Sequence, residues 1–280
     1  MIGKAFPCKA LTHSVLIATA VALAPVAPSS AQAETLNASY SVRLLGLSLG
    51  TAALIGTVNP GAYRLQASAK LSGIAAAVTK SEGAATATGA ISKGRILPAT
   101  YASASSNSKE TRTVRMALNA GNVSAEEITP PAEPWPDRIP ITEAQKRGII
   151  DPLSAILMPV MTSGPLVGPE ACARNIPVFD GVTRFDIPLT YVGTRHVTAT
   201  GYEGPVAVCA ARYRPISGHR PNREATRFMA ENKQMEIWMA PLNEARALAP
   251  FRISVATMVG NLVIEATRFQ TAPSTTASTR

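Results

Sequence analysis

Glycine-asparagine pairs, set between stretches of alternating apolar and polar residues, constrain this chain more than any other feature. Gly121-Asn122 lies between Thr111–Leu118 and Val123–Ile128, and Gly260-Asn261 lies between Phe251–Met258 and Leu262–Phe269. Two-residue loops of this kind reverse the chain with the twist that antiparallel strands need, so both pairs predict hairpins. Asp180-Gly181 predicts a third between Ile176–Phe179 and Thr183–Leu189. The period of two is plain at Tyr40, Val42 and Leu44, which point one way while Ser39, Ser41 and Arg43 point the other. Gly46 and Gly50 interrupt the apolar run that follows and predict a bulged or sharply bent strand. After the turn signal Asn59-Pro60-Gly61 the alternation resumes at Tyr63, Leu65 and Ala67. Ser81 to Ile91, rich in Thr, Ala and Gly, reads as a weak strand, at an edge or against a crowded surface. Further strands are expected at Thr194–Thr200, Val206–Tyr213, Glu224–Ala230 and Gln234–Met239. Many short strands with frequent turns predict an all-β fold: a curved antiparallel sheet or open barrel.

Helix is scarce. Asp151 as cap, Pro152 in the first turn and the apolar set Leu153, Ile156 and Leu157 predict one short helix, which Pro159 ends after about two turns. A second short helix is expected from Thr142 to Arg147, and a turn of helix or a loop over Gly73–Lys80. Pro130, Pro131, Pro134, Pro136 and Pro140, with Trp135 among them, form an extended connector across the surface or the mouth of the sheet. The organisation expected is a leader over 1–33, one β domain over 34–270, and a Ser/Thr/Ala-rich tail over 271–280 without order.

The leader expectation rests on Lys4 and Lys9, an apolar stretch from Val15 to Val26, and Ala31-Gln32-Ala33 at cleavage spacing. It directs the chain to the periplasm. That compartment argues against ATP chemistry, nucleotide cofactors and nucleic-acid partners; no cofactor is expected. No other apolar run reaches the roughly 18 residues of a membrane helix. The formal net charge is +9, and loss of Lys4 and Lys9 with the leader brings it to +7, which favours anionic surfaces such as lipid head groups. Cys8 falls in the leader; Cys172 and Cys209 remain. An even count in an oxidising compartment predicts one disulfide.

Catalytic patterns do not emerge. The sequence has no His-Glu-x-x-His, no phosphate loop and no zinc-spaced cysteines. His196 adjoins Arg195 in a strand, and His219 occupies a Gly-His-Arg-Pro turn. Asp180 fits a turn position, and Asp186 lies two residues from Arg184 on one strand face. The strongest charge feature runs from Arg212 to Arg227, with Arg214, Arg220 and Arg223 between and only Glu224 opposing. Planar guanidinium forks suit phosphate and carboxylate groups. Small residues on the strands (Ala52, Ala53, Ala67, Ala69, Ala84, Ala87, Ala90) leave room either for a ligand or for a short helix packed close.

These features resemble the exported bacterial proteins grouped as domain of unknown function 3108. The resemblance spans roughly Ala38 to Phe269. It rests on Tyr40 with Gly46-Leu47 and Gly50, Tyr63, Leu97-Pro98 with Tyr101, and Asp151-Pro152-Leu153-Ser154. Val178-Phe179-Asp180-Gly181 with Arg184, Cys209 with Tyr213, and Pro250 with Arg252-Ile253 continue it. It implies a periplasmic, mainly antiparallel β domain with no assigned activity or catalytic residue. More distantly, strand-rich proteins of this size resemble the lipoprotein-carrier fold, in which a curved, incompletely closed barrel encloses an acyl chain.

The reading is therefore a non-enzymatic envelope protein that binds a lipid or other amphipathic component. Arg212, Arg214 and Arg220 are expected at the anionic group, and Leu153, Ile156 and Leu157 as lid or plug. The alternatives are an envelope interaction protein without ligand and, behind it, a cell-wall or lipid hydrolase using Asp180 or His219. Oligomeric state is not legible.

Overall fold

A computed structural model describes residues 1–3, 33–73, 81–161 and 164–274. The leader's apolar stretch and cleavage site, most of 73–80, and residues 275–280 lie outside the described residues. From Glu34 onward the period-two runs become strands: β1 (Glu34–Leu44), β2 (Leu47–Val58), β3 (Ala62–Leu71), β4 (Glu82–Ser92), β5 (Arg95–Ser106), β6 (Thr111–Asn119) and β7 (Asn122–Thr129). After the connector come β8 (Met158–Pro159), β9 (Asn175–Phe179), β10 (Arg184–Ala199), β11 (Tyr202–Ala211), β12 (Arg214–Ser217), β13 (Met235–Leu242), β14 (Ala247–Thr257) and β15 (Gly260–Pro273). All belong to one antiparallel sheet, ordered β12-β10-β11-β13-β14-β15-β1-β2-β3-β4-β5-β6-β7, with β8 beside β14 and β9 beside β10.

The first and last strands of the sequence pair at mid-sheet. β15 runs along β1 from Leu262, opposite Leu44, to Pro273, opposite Glu34. The ladder offered by β1 carries order three residues into the segment expected to be a disordered tail. The sheet is strongly curved and open: β7 and β12 are not paired with each other. The proline-rich connector bridges the gap instead. The Ile139 amide donates to the His219 carbonyl and the Gly218 amide to the Ile139 carbonyl, at 2.9 and 2.8 Å. Farther along, the amides of Ile149 and Ile150 donate to the carbonyls of Gly121 and Pro177, both at 2.8 Å.

Several local expectations shift. The run broken by Gly46 and Gly50 is two strands, not one bent strand. Leu45 and Gly46 both take positive φ (52° and 82°) and form a tight turn between β1 and β2. The expected bulge is present beside Gly50: Val42 opposes Gly50 and Arg43 opposes Ser48, which leaves Leu49 of β2 as the extra residue. Of the two places expected for Ser81–Ile91, the edge is excluded, since β4 is paired on both sides, and the crowded surface is met at Ala87, buried between Leu65 and Tyr101. The strand expected over Glu224–Ala230 is instead the helix α1 (Glu224–Glu231). Its Glu, Ala, Arg and Met residues favour helix. The helix expected from Asp151 shrinks to one 3-10 turn, Ser154–Ile156, and Thr142 caps another at Glu143–Lys146. Cys172 and Cys209, both fully buried, form the expected disulfide with Cα atoms 5.5 Å apart, joining the loop before β9 to β11. Among the described residues no helix is long and apolar enough to cross a membrane.

Candidate functional site

Register explains where the interior is full and where it is hollow. Residues opposed across antiparallel strands share a face. One row across β1–β6 is Leu36, Gly56, Leu65, Ala87, Tyr101 and Met116. Its large side chains are buried and fill the space. Two residues further along each strand the row is Ala38, Leu54, Ala67, Ala85, Ser103 and Val114. The next is Tyr40, Ala52, Ala69, Gly83, Ser105 and Arg112. Side chains shrink along this direction, and a trough opens.

The trough has a volume of about 440 Å³. Ala52, Ala67, Ala69, Ala85 and Gly83 form its floor, and Tyr40, Leu54 and Tyr101 its flanks. Ile253 on β14, Ile264 on β15 and Ile156 face them. The Tyr40 hydroxyl donates to the Pro250 carbonyl at 2.7 Å, which satisfies the polar tip of an otherwise apolar wall. An adjoining hollow of about 810 Å³ shares Tyr40, Ala52 and Ala69 and reaches the polar side chains of Lys70, Glu82, Thr111 and Thr267. On the other side of Ile156 and Ile253 lies a second apolar pocket of about 200 Å³, bounded by Met158, Phe185 and Ile237. At the opposite end of the sheet a hollow of about 440 Å³ is lined partly by Arg174, one of whose terminal nitrogens donates to the Pro159 and Glu170 carbonyls while its buried Nε has no partner among the described residues.

The segment 151–157 plugs the interior beside the trough. Asp151, fully buried, accepts from the amides of Leu153 (3.1 Å) and Ser154 (2.8 Å) through Oδ1. The Ser154 hydroxyl in turn meets the Tyr63 hydroxyl of β3 at 2.7 Å. Burial pushes the Asp151 carboxyl above the usual carboxylate range, against the opposing hydrogen bonds from Ser154 and Leu153. Asp151 Oδ2 has no hydrogen-bond partner among the described residues. Leu153 and Leu157 are buried anchors in the main core, whereas Ile156 stands at the hollow itself.

The three arginines do not gather at the trough. Arg212 is exposed and donates to the Asn232 carbonyl at 3.1 Å, and Arg214 is exposed on the edge strand β12. Arg220 belongs to a separate cleft of about 510 Å³ with Arg112, Arg138, Arg223, His219 and Tyr213. Its Nε donates to Asp137 at 2.7 Å and its guanidinium lies 4.3 Å from the centre of the Trp135 ring. The basic run is divided among an edge strand, a turn and a helix, so adjacency in sequence becomes separation in space. Arg112 supplies a link instead: it ends the outermost trough row and also lines the cleft. Only knowledge of the register singles it out.

The candidate acids are occupied. Asp180 accepts from the amides of Val182 (2.7 Å) and Thr183 (2.6 Å), and Asp186 pairs with Arg184. His196 is exposed on β10. Of the small residues, Ala52, Ala67 and Ala69 floor the trough, but Ala87 is sealed in the core between Leu65 and Tyr101.

These features define an open, barrel-like antiparallel sheet with an internal plug and an apolar hollow. The chain belongs to the family described as protein of unknown function (DUF3108), whose model matches residues 39–267. Among solved structures it is similar to a beta-barrel-like protein of domain of unknown function DUF1849 from Brucella abortus. That likeness has a TM-score of 0.46 and 9% identity, over 87% of this chain and 99% of the other. No curated protein matches it.

Proposed function

We propose that this chain is an exported, periplasmic, non-catalytic protein that holds the apolar part of a lipid or other amphipathic envelope component. The observation that carries the reading is the trough: an apolar hollow of about 440 Å³, floored by alanine and glycine and open at one end. Ligand sites run from ~300 to 1,000 Å³ and are mostly apolar with a few placed polar groups. The polar groups here are Lys70, Glu82, Thr111 and Thr267 in the adjoining hollow. The cleft holding Arg112, Arg220 and Arg223 would take an anionic group of the same ligand, through Arg112. The basic net charge and the buried disulfide fit export to an oxidising envelope.

Native mass spectrometry of protein extracted without detergent tests the reading, together with titration of the stripped protein by a fluorescent fatty acid. A co-purified amphiphile, or saturable binding weakened at least tenfold by Ala67→Phe, is the expected result. Stripped protein that ignores the probe, and extracted protein with the mass of the bare chain, would sink it.

A further inference from the structure

We infer that the adjacent tips of the β1–β2 and β14–β15 hairpins form a docking ledge for the surface of an anionic lipid bilayer. Four large apolar side chains stand out of these two turns: Leu45 (68% exposed), Leu47 (71%), Met258 (48%) and Val259 (68%). The tips touch. The Leu45 amide donates to the Asn261 carbonyl at 3.1 Å, and Leu45 lies so close over Gly260 that a Cβ there would fall 2.3 Å from its Cδ2. The four residues thus form one continuous apolar edge, of the kind that marks an interaction site rather than a scattered surface leucine.

The backbone sharpens the argument. Leu45 sits at φ 52° in the first position of a two-residue turn, where Asn, Asp or Gly is the favoured choice. A leucine there gains no burial and bears a backbone cost, so its presence breaks local rules without a folding benefit. Among the described residues, other tips are polar or small: Asn59-Pro60-Gly61, Lys93-Gly94, Asn107-Ser108-Lys109 and Ala120-Gly121.

Continuity with the trough and charge select the bilayer as occupant. From the trough wall at Ile264 the register leads through its neighbour Val42 to the pair Leu44 and Leu262, and then to the ledge. These ramp residues are half-buried and apolar. Tyr40 to Leu45 spans about 17 Å of strand, so the mouth lies within reach of a surface that the tips enter. The charge of +7 that remains without the leader's Lys4 and Lys9 draws the chain toward anionic head groups. Docking requires no cargo and stands apart from the carrier reading, although the ramp would give a lipid its route inward.

The test is co-sedimentation of the chain from Glu34 onward, without the apolar leader that would itself enter lipid, with cargo-free vesicles of phosphatidylethanolamine and phosphatidylglycerol. The comparison is with the variant L45N/L47S/M258S/V259S, whose integrity is checked by thermal melting. Leu45→Asn alone serves as a second variant, because asparagine suits the positive φ and leaves the fold at least as stable. The four substitutions should lower the partition coefficient at least tenfold, and Leu45→Asn alone measurably, while both variants keep the fluorescent fatty-acid affinity of the parent. Equal partition of parent and folded variants would overturn the inference. So would a parent that ignores vesicles but forms a dimer dissolved by the four substitutions, an outcome that assigns the ledge to a second copy of the chain. Loss of fatty-acid binding alone in Ala67→Phe bears on the trough and leaves the ledge standing.

Discussion

Two alanines on one strand give the sharpest test of the hollow. Ala85 and Ala87 lie on β4, on the same face and two residues apart, about 7 Å along the strand. Ala85 borders the trough, whereas Ala87 is fully buried between Leu65 and Tyr101. Replacing each by phenylalanine changes the same chemistry with the same strand preference, so intrinsic propensity cancels. At position 87 the ring has no space, and forcing bulk into a packed core costs about 1–3 kcal/mol. At position 85 the ring enters an existing void. Burying a phenylalanine side chain contributes roughly 1.5–3 kcal/mol at full burial, and a half-open trough gives only part of that, so Ala85→Phe should be neutral or stabilising by about 1 kcal/mol. The two variants then differ by about 1–4 kcal/mol. For a domain of this size each kcal/mol moves Tm by about 2–4 °C, so the melting points should part by roughly 2–16 °C. Urea unfolding with matched m-values measures the same gap. Ala85→Phe should also weaken fatty-acid binding, and Ala87→Phe should do so only through loss of folded protein. If both variants lose stability equally, the trough is no void and the argument from register fails.

Three further outcomes follow from the interior. Replacing Cys172 and Cys209 by serine releases a loop closed over a separation of 37 residues, and urea midpoints should fall by the equivalent of about 3–4 kcal/mol; an unchanged midpoint would remove the disulfide from the stability account. Leu153→Ala should cost about 2–5 kcal/mol, because the side chain anchors the plug in the core, and a loss below about 1 kcal/mol in chemical denaturation would mean the plug is loosely held. Asp151 carries a pH signature. Its folded pKa is raised by burial above the ordinary 3.8, so its contribution to stability is complete below that value and is lost as pH rises through the folded pKa. Asp151→Asn keeps the acceptor for Leu153 and Ser154 but cannot ionise, so its stability relative to the parent should rise as pH climbs above the ordinary 3.8 and through the folded pKa; parallel profiles would contradict the burial argument.

Hairpins were legible because turn chemistry is local. Asp180-Gly181 reverses the chain where expected, and the pairs at 121–122 and 260–261 mark real hairpins whose turns sit one and two residues earlier, at Ala120-Gly121 and Met258-Val259. Asp151 was readable as a cap, but not that Ser154 would be held by Tyr63 from 91 residues away, since that bond depends on curvature of the whole sheet. The alanines were visible as a set. Which of them line a void and which are sealed depends on register against Leu65 and Tyr101, a long-range property. The arginine run misled for the complementary reason: neighbours in sequence fell on β12, a turn and α1. Glu224–Glu231 was misread because eight residues with mixed polarity carry either period.

The seam between β7 and β12 has a consequence for how such an interior can vary. A ladder joined all the way round ties bore to strand number, because widening it means adding or removing a strand. Here a few amide-to-carbonyl links from residues 139–150 complete the circumference. Edits to that one stretch of chain can therefore retune the calibre of the interior while every strand keeps its partners.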